Sequence, residues 1–271
     1  MNKRHLFYIS DGTGITAEAL GHSLISQFES MEFSSETIPY VNSIELANDA
    51  AAKINAAFVE DGVAPLIFTT LVNPHIRQVL RESKGVLYDL FQAFLEPLEQ
   101  ELQAKSSYTI GRVHSTVHNK SYESRIDAIN FALACDDGLG AQQYTKADLI
   151  IIGVSRSGKT PTSLYLALQF GVLAANYPLT EEDLHSPHLP ACLQAHKSKL
   201  FGLGISAARL QAIRQERRPN SRYSSLEQCE QEVLITKRLY QFENIPSIDS
   251  TEQSIEELAT KILAIKGIQR R

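Results

Sequence analysis

The sequence has little of what marks disulfide-rich, metal-binding or membrane proteins. Its 271 residues include only three cysteines, Cys135, Cys192 and Cys229, which lie far apart and lack the spacing of metal ligands. No apolar run approaches the ~18 residues that a membrane-spanning helix needs, and the apolar run before Asp11 is too short for a signal peptide. We therefore expect a cytoplasmic protein with reduced thiols and no membrane association.

A basic excess is missing as well. The chain carries 26 lysine and arginine residues against 31 aspartate and glutamate residues, for a formal net charge of -5. Proteins that bind nucleic acids or anionic membranes generally present a positive surface, so we expect neither partner. The hydrophobic content of 43% is enough to form the core of one large domain or two small ones.

Apolar strands that alternate with amphipathic helices predict an α/β protein with parallel sheets covered on both faces. The predicted strands cover residues 5–10, 37–41, 64–72, 148–154, 173–179 and 199–206. Residues 86–102 are predicted as one helix, bent near Pro97. A polar, glycine-containing stretch at 139–147 gives the domain boundary, so we predict an N-terminal α/β domain at 1–143 and a P-loop kinase-like domain at 144–271.

Residues 153–160, GVSRSGKT, fit the phosphate-binding pattern G-x-x-x-x-G-K-S/T, and we call them the phosphate loop. Apolar residues 149–152 predict a strand before the loop, and Pro161 suits the first turn of a helix after it. In such loops the backbone N–H groups and the helix dipole bind phosphate, while the lysine adds a mobile positive charge. The predicted nucleotide-binding residues are Gly153, Val154, Ser155, Arg156, Ser157, Gly158, Lys159 and Thr160.

Individual side chains of the loop have more specific predicted roles. Lys159 is predicted to act in catalysis at the outer phosphates, and the Thr160 hydroxyl to bind Mg2+. The Arg156 guanidinium could contact a phosphate or face the solvent. No convincing aspartate follows a long apolar strand to complete the magnesium site, and Asp249 is the nearest, weak candidate.

Five arginines lie within residues 209–222, which we call the arginine segment. Phosphoryl transfer needs positive charge around the transferred group, and mobile arginine lids can supply it. A solvated helix face is the alternative, because charge runs usually are solvated. We predict phosphate contacts from Arg217, Arg218 and Arg222.

A second glycine turn, DGTG at residues 11–14, follows the first predicted strand. It is a weak match to the dinucleotide fingerprint, because the nearest acidic residue, Glu36, lies at the wrong end of the next predicted strand. A more general interpretation is a phosphate site made by Gly12, Thr13 and Gly14, with Asp11 as the catalytic proton acceptor. The alternative is that Asp11 only shapes the turn.

Two other groups of side chains are weaker candidates. His114 and His118 stand four residues apart, but their segment does not look helical and lacks a nearby third ligand. Asp136 and Asp137 precede a glycine and could hold Mg2+. Because Asp-Asp-Gly after a helix is also ordinary turn chemistry, we slightly favour a structural role on the residues alone.

Taken together, these motifs resemble one protein family over almost the whole chain. The stretches that carry the resemblance are HLFYISDGTGITAEALGHSLISQF, DDG, GVSRSGKTPTSLYLALQFGVLAANYPL, KLFGLGI, IRQERRPNSRYSSLEQC and STEQSIEELATKIL. In this order they are similar to the phosphoenolpyruvate synthase / pyruvate, phosphate dikinase regulatory proteins, and most similar to the bacterial phosphoenolpyruvate synthase regulators. The phosphate loop alone is generic, whereas the TPTSLYLA after it and the N-terminal SDGTG are specific.

The resemblance implies a bifunctional phosphotransferase, which is both a serine/threonine-protein kinase and a phosphorylase. Such proteins transfer a phosphoryl group from ADP to a threonine of the target enzyme and thereby inactivate it. They remove the phosphoryl group with inorganic phosphate and release pyrophosphate. The implied protein partner is phosphoenolpyruvate synthase or pyruvate, phosphate dikinase, and all eight positions of residues 153–160 match the family's ADP loop.

Other interpretations stay open. A small-molecule kinase that uses ATP is the alternative function, and a nucleotide-sensing module without chemistry is a third. The sequence does not decide between the synthase and the dikinase as the target, nor the oligomeric state, for which a homodimer is one option. The candidate docking elements for the target are the arginine segment and residues 104–121, a polar and poorly periodic stretch that we predict as a loop or an excursion.

Overall fold

Two separate four-stranded parallel sheets form the framework of the chain. The computed structural model describes residues 3–107 and 119–269, and its contacts divide the chain into two units, Met1–Ser115 and Thr116–Arg271. The described residues include eight β-strands and eleven α-helices, and each unit contains one of the two sheets.

The first unit has the strand order β2-β1-β3-β4, with every pairing parallel. Its elements are β1 (Lys3–Ile9), α1 (Ile15–Ile25), β2 (Glu32–Ile38), α2 (Ile44–Asp61), β3 (Leu66–Thr69), α3 (Pro74–Arg81), β4 (Val86–Asp89) and α4 (Leu90–Leu102). Ile9, at the end of β1, is in register with Ile38 and Thr69 at the ends of its two neighbours. The loops that follow these three strands therefore start from the same edge of the sheet.

Helices cover both faces of this sheet because its central strands are apolar on both sides. One face packs α2 and α3 into a core that includes Ile54, and the opposite face packs α1 and α4 into a core that includes Phe68. Helix α2 begins where the Ser43 side chain accepts a hydrogen bond from the Leu46 N–H, and it ends at Gly62, which has a φ of 69°.

The second unit has the order β6-β5-β7-β8, again with every pairing parallel. Its elements are α5 (Asn119–Ala134), β5 (Leu149–Val154), α6 (Lys159–Phe170), β6 (Ala174–Leu179), α7 (Glu181–Leu184), α8 (Ala191–Gln194), β7 (Leu200–Gly204), α9 (Ala207–Arg217), α10 (Leu226–Phe242), β8 (Ser247–Asp249) and α11 (Ile255–Lys266). A short 3-10 turn, Asp136–Gly138, follows α5. Strand β5 lies between β6 and β7 and leads directly into the phosphate loop.

Every residue of β5 is buried, as expected of a central strand covered on both faces. Helices α6 and α11 pack on one face through a core that includes Ile262, and α10 packs on the other through Tyr240. Helix α5 lies against α6 through the small side chains of Ala128, Ala132 and Ala167. This packing fixes the turn after α5 relative to the helix that follows the phosphate loop.

The prediction of two parallel-sheet α/β units is confirmed, but the boundary differs. The contacts divide the chain between Ser115 and Thr116 rather than between residues 143 and 144. The reason is α5, which precedes the predicted boundary but packs its alanine face against α6 of the second unit. The more specific prediction of a P-loop kinase-like fold for the second half stays a prediction.

Two local predictions also need correction. Residues 86–102 form strand β4 followed by helix α4 rather than one helix, because the Asp89 side chain accepts a hydrogen bond from the Gln92 N–H and starts the helix there. Helix α5 begins at Asn119, inside the predicted loop at 104–121. Residues 108–118, with His114 and His118, lie outside the described residues. Within the described part of the chain, no helix is long and apolar enough to cross a membrane.

Candidate functional site

The phosphate loop joins the end of β5 to the start of α6, as the motif predicts. Gly158 stands at the helix N-cap with a φ of 91°, and Arg156 also has a positive φ of 79°. Gly153 is needed for a close approach, since a Cβ there would meet the Leu203 carbonyl oxygen at 2.7 Å. The result is a tight turn that ends in free N–H groups at the start of a twelve-residue helix, an arrangement that binds anions.

Lys159 lies beneath this loop rather than on the surface. Its side chain is 4% exposed, and Nζ donates a hydrogen bond to the Val154 carbonyl oxygen at 2.9 Å. Burial lowers the pKa of Lys159 to about 8, although the nearby carboxylates of Asp137 and Asp136 favour its charged form. The lysine is therefore held at the base of the loop by a backbone contact that a phosphate oxygen could replace.

Asp136, for which the sequence slightly favours a structural role in a turn, contacts Thr160 of the phosphate loop. Its Oδ1 accepts a hydrogen bond from the Thr160 hydroxyl at 2.8 Å and another from Asn176 Nδ2 at 2.6 Å. Asn176 is fully buried, and its Nδ2 also donates to Ser163 Oγ on α6. A buried amide thus holds the Asp136 carboxylate against the hydroxyl for which we predicted a role in metal binding.

Asp137, the next residue, has a different environment. Its backbone N–H donates to Asn176 Oδ1 at 3.1 Å, and its φ of 48° turns the chain sharply. The side chain is exposed and makes no hydrogen bond or ion pair with the described residues. Its negative charge nevertheless favours the charged form of Lys159 and so raises the pKa of that lysine, which places the carboxylate close to the phosphate loop.

The oxygens of Thr160 and Asp136 are suitable ligands for Mg2+, which prefers hard oxygen donors and usually keeps several waters and phosphate oxygens in its shell. Within residues 3–107 and 119–269 no group of three or more acidic, histidine or cysteine side chains could hold a metal ion by itself. The Asp249 carboxylate instead accepts a hydrogen bond from the backbone N–H of Thr251, and its weak candidacy for the magnesium site stays a prediction. The two oxygens fit a cation that is shared with a bound nucleotide.

The arginine segment divides into buried and exposed members. Arg217 and Arg218 are exposed at the end of α9, and Arg222 forms an exposed ion pair with Glu181 at 2.6 Å. Arg214 is fully buried and contacts the phosphate loop through the Ser155 carbonyl oxygen at 3.1 Å. The phosphate contacts predicted for the exposed arginines stay predictions, and the arginine that contacts the loop is one that we had not selected.

Residues 11–14 occupy the corresponding place in the first unit, between β1 and α1. The Asp11 side chain is 9% exposed and accepts a hydrogen bond from the Val72 N–H at 2.8 Å. The Gly12 N–H donates to Ser10 Oγ at 3.1 Å, and Gly14 is the N-cap of α1. Asp11 thus joins two loops of the first sheet, and its predicted role as a proton acceptor stays a prediction, as does phosphate binding by Gly12, Thr13 and Gly14.

These features define an α/β protein with a glycine loop at the carboxyl end of a central parallel strand, a buried lysine in that loop and two adjacent carboxylates near it. The chain belongs to the kinase/pyrophosphorylase family, whose model matches residues 6–263. This membership supports a phosphotransferase type of activity.

Curated relatives match the chain over almost its full length. A protein of Legionella pneumophila strain Corby is 57% identical over 269 residues, which is 99% of each chain. A protein of Pseudomonas fluorescens strain Pf0-1 has the same identity and coverage, and one of Pseudomonas savastanoi pv. phaseolicola is 55% identical. All three carry the name "Putative phosphoenolpyruvate synthase regulatory protein".

Proposed function

We propose that this protein regulates phosphoenolpyruvate synthase in the cytoplasm by reversible phosphorylation of a threonine. In one direction it transfers the β-phosphoryl group of ADP to the threonine, which inactivates the synthase. In the other direction it transfers the phosphoryl group from the threonine to inorganic phosphate and releases pyrophosphate. The family membership and the names of the relatives support the partner and the type of reaction.

The observation that carries the proposal is the set of groups around the phosphate loop. A phosphoryl transfer needs positive charge at the phosphates, a group that takes the proton of the attacking hydroxyl, and donors that hold the phosphate oxygens. Lys159 offers the first, the exposed Asp137 carboxylate the second, and the N-terminus of α6 the third. All three belong to the second unit.

In the forward reaction the threonine hydroxyl attacks the β-phosphorus of ADP. The bond between this phosphorus and the oxygen that bridges to the α-phosphate breaks, and AMP leaves with that oxygen. Asp137 accepts the proton of the hydroxyl, and Lys159 balances charge on the phosphate oxygens. A bound Mg2+, held by Thr160 and Asp136, would supply further positive charge at the phosphates.

In the reverse reaction an oxygen of inorganic phosphate attacks the phosphorus of the phosphothreonine. The bond between phosphorus and the threonine oxygen breaks, pyrophosphate forms, and the threonine oxygen regains its proton from Asp137. Both directions break or form a bond to the same phosphoryl group, so one site can serve both. The exposed arginines Arg217, Arg218 and Arg222, which belong to the same unit as the phosphate loop, remain the proposed sources of contacts to inorganic phosphate. Phosphate binding by the glycine turn at 11–14 of the first unit stays a separate proposal.

We favour Asp137 over Asp11 as the proton acceptor for a physical reason. The Asp11 carboxylate is nearly buried and already accepts a backbone hydrogen bond, whereas Asp137 is exposed and unpartnered among the described residues. A proton acceptor must be within hydrogen-bond reach of a hydroxyl that arrives with the target protein. An exposed carboxylate beside the phosphate loop meets this requirement.

The test incubates the purified protein and phosphoenolpyruvate synthase with β-labelled ADP and, separately, with γ-labelled ATP. Label that appears on a synthase threonine from ADP alone, located by mass spectrometry, is the expected result. Label from ATP alone would favour a kinase that uses ATP. If neither nucleotide labels active synthase, the proposed reaction is wrong.

A further inference from the structure

A fully buried arginine lies behind the phosphate loop. Arg214, on α9, is one of the largest side chains with no exposure, and its guanidinium forms a two-pronged ion pair with Glu232 of α10 at 2.6 and 3.2 Å. Burial disfavours the charged form, but the hydrogen bond and charge of Glu232 outweigh it, so the pKa of Arg214 is raised. The guanidinium is permanently charged, and Glu232 already neutralises that charge, so we do not assign phosphate binding to Arg214.

Two further hydrogen bonds of this guanidinium hold backbone carbonyl oxygens. Nη2 donates to the Ser155 carbonyl oxygen at 3.1 Å, inside the phosphate loop, and Nη1 donates to the Tyr223 carbonyl oxygen at 3.1 Å. The guanidinium carbon also lies 4.1 Å from the centre of the Tyr223 ring. One side chain therefore connects the phosphate loop to the residue that follows the arginine segment.

Tyr223 also contacts Ser155 directly. Its hydroxyl lies 3.1 Å from Ser155 Oγ, in hydrogen-bond contact. Ser155 is thus held twice, at its carbonyl oxygen by Arg214 and at its hydroxyl by Tyr223. The next residue, Arg156, adopts a positive φ of 79°, a conformation that a non-glycine residue keeps only when its surroundings enforce it.

A buried ion pair is a poor source of stability, because removing two charges from water costs about as much as their attraction returns. Its rigid geometry can instead hold a specific conformation, and here the conformation is that of residues 155–158. Arginine suits this place because its planar group donates two hydrogen bonds to Glu232 and one to each of two carbonyl oxygens, whereas the ammonium of lysine has only three N–H donors.

We propose that Arg214 is a positioning residue of the phosphate loop, which it holds, together with Tyr223 and Glu232, in the conformation that binds the phosphates of ADP. The part of this inference that concerns ADP rests on the proposed function. The connection also means that a displacement of residues 218–225 would remove the contacts that Tyr223 makes with Ser155 and with Arg214.

The first test measures amide hydrogen exchange of residues 155–158 without nucleotide, so it does not depend on the proposed function. Tyr223→Phe keeps the ring and removes only the hydroxyl that contacts Ser155. We expect exchange in the loop to accelerate about fivefold, the equivalent of one ordinary hydrogen bond. Tyr165→Phe is the matched control, since the described residues show no hydrogen bond of that hydroxyl, and it leaves loop exchange unchanged. Unchanged loop exchange in Tyr223→Phe overturns the proposal.

The second test measures the Kd of ADP by calorimetry for the same variants and for Arg214→Lys. We expect Kd to rise about fivefold in Tyr223→Phe and at least tenfold in Arg214→Lys, which loses several charge-assisted contacts. A double variant in which the two effects are less than additive shows that both residues act through Ser155. A merely structural role would lower the melting temperature and leave Kd unchanged in the folded variants.

The outcomes separate the two proposals. If the wild-type protein binds no ADP while loop exchange still accelerates in Tyr223→Phe, the proposed function fails and the positioning of the loop stands. If ADP binds equally well to wild type and both variants, the proposed function stands and Arg214 is not a positioning residue for the nucleotide. Arg214→Lys is scored only if its melting curve shows a folded protein, and Tyr223→Phe decides the question otherwise.

Discussion

The two units of the chain have the same sheet topology but different loops at the same place. In each sheet the first strand of the unit lies between the second and the third, and a glycine turn joins it to the next helix. Gly14 and Gly158 are the N-caps of these helices, with φ values of 84° and 91°. The residue after the glycine is the exposed Ile15 in one unit and the buried Lys159 in the other.

The side chains around the two loops differ as well. The turn at 11–14 is completed by its own sheet, through Asp11 and Ser10, which bind backbone and hydroxyl groups nearby. The phosphate loop is surrounded by charges from outside the motif, which are Asp136, Asp137 and Arg214. Topology therefore decides where an anion could bind, and the charged side chains around the loop decide whether phosphate chemistry can follow.

The largest expected effect separates the two positions after the glycines. Lys159→Ala should lower both ADP-dependent phosphorylation and phosphorolysis by about a thousandfold, because the charge at the phosphates is lost. Ile15→Ala should leave both rates nearly unchanged. Initial rates of both reactions with the synthase measure this difference. A variant Lys159→Ala that loses phosphorylation but keeps phosphorolysis would contradict a shared site.

The next comparison sets the two aspartates against each other. Asp137→Asn should reduce the rate of phosphorylation by about a hundredfold through loss of a general base, with little change in the melting temperature. Asp11→Ala should instead destabilise the first unit by about 1–2 kcal/mol, because the partly buried Val72 N–H loses its acceptor. Rates and melting curves of both variants test this contrast. The opposite pattern would return the proton transfer to Asp11.

The pH dependence of Lys159 provides a third test. Since its pKa is lowered by burial to about 8, kcat/KM for ADP should fall as pH rises above that value and the ammonium loses its proton. Over the same window, up to the ordinary value of 10.5, this group should make the folded state more stable as pH rises, because the unfolded chain binds the proton more tightly.

A single substitution sharpens the pH test. Asp136→Asn removes a negative charge that favours the ammonium, so the midpoint of the alkaline limb should move to lower pH. Rates measured in wild type and in this variant across the alkaline range give both midpoints. A midpoint that stays in place would mean that another group controls the limb.

The smallest expected effect compares the two glycines. Gly158→Ala should cost about 1–2 kcal/mol of stability, because a left-handed backbone is unfavourable for alanine, while the space around its Cβ is open. Gly14→Ala should cost more, because its Cβ would lie 2.8 Å from Thr37 Cγ2. Only Gly158→Ala should also weaken ADP binding. Denaturant unfolding measures the loss of stability in each variant, and calorimetry measures the Kd of ADP. We expect Gly14→Ala to lose more stability and Gly158→Ala to lose more ADP affinity.

Local patterns in the sequence predicted much of the fold and one part of the site. The sequence places the phosphate loop and its helix where the structure has them. The apolar residues of β5 precede the loop, Pro161 lies in the first turn of the helix, and Gly171 ends it. The structure of residues 86–102 was harder to predict, because the same apolar spacing suits a short strand and a helix. The N-cap made by Asp89 marks where strand β4 ends and helix α4 begins.

The rest of the site depends on contacts between segments that are distant along the chain. Asp136 lies 24 positions before Thr160, and Asn176, which holds it, follows on another strand. The magnesium-binding aspartate was expected after the phosphate-loop motif, so this expectation could not identify Asp136, which precedes the motif. The alanines of α5 were the available signal, since Ala128 and Ala132 form the small-residue face that packs on α6.

The packing of α5 on α6 also sets limits on how the site could be divided or transplanted. A fragment that began at residue 144 would carry the complete phosphate-loop motif and all four strands of its sheet. It would lack both carboxylates of the turn after α5 and would expose Ala167 and the rest of the α6 face that packs on α5 to water. Such a fragment would keep the sequence signature of a nucleotide-binding protein. It would nevertheless lack Asp137, the proposed proton acceptor, and Asp136, the hydrogen-bond partner of Thr160.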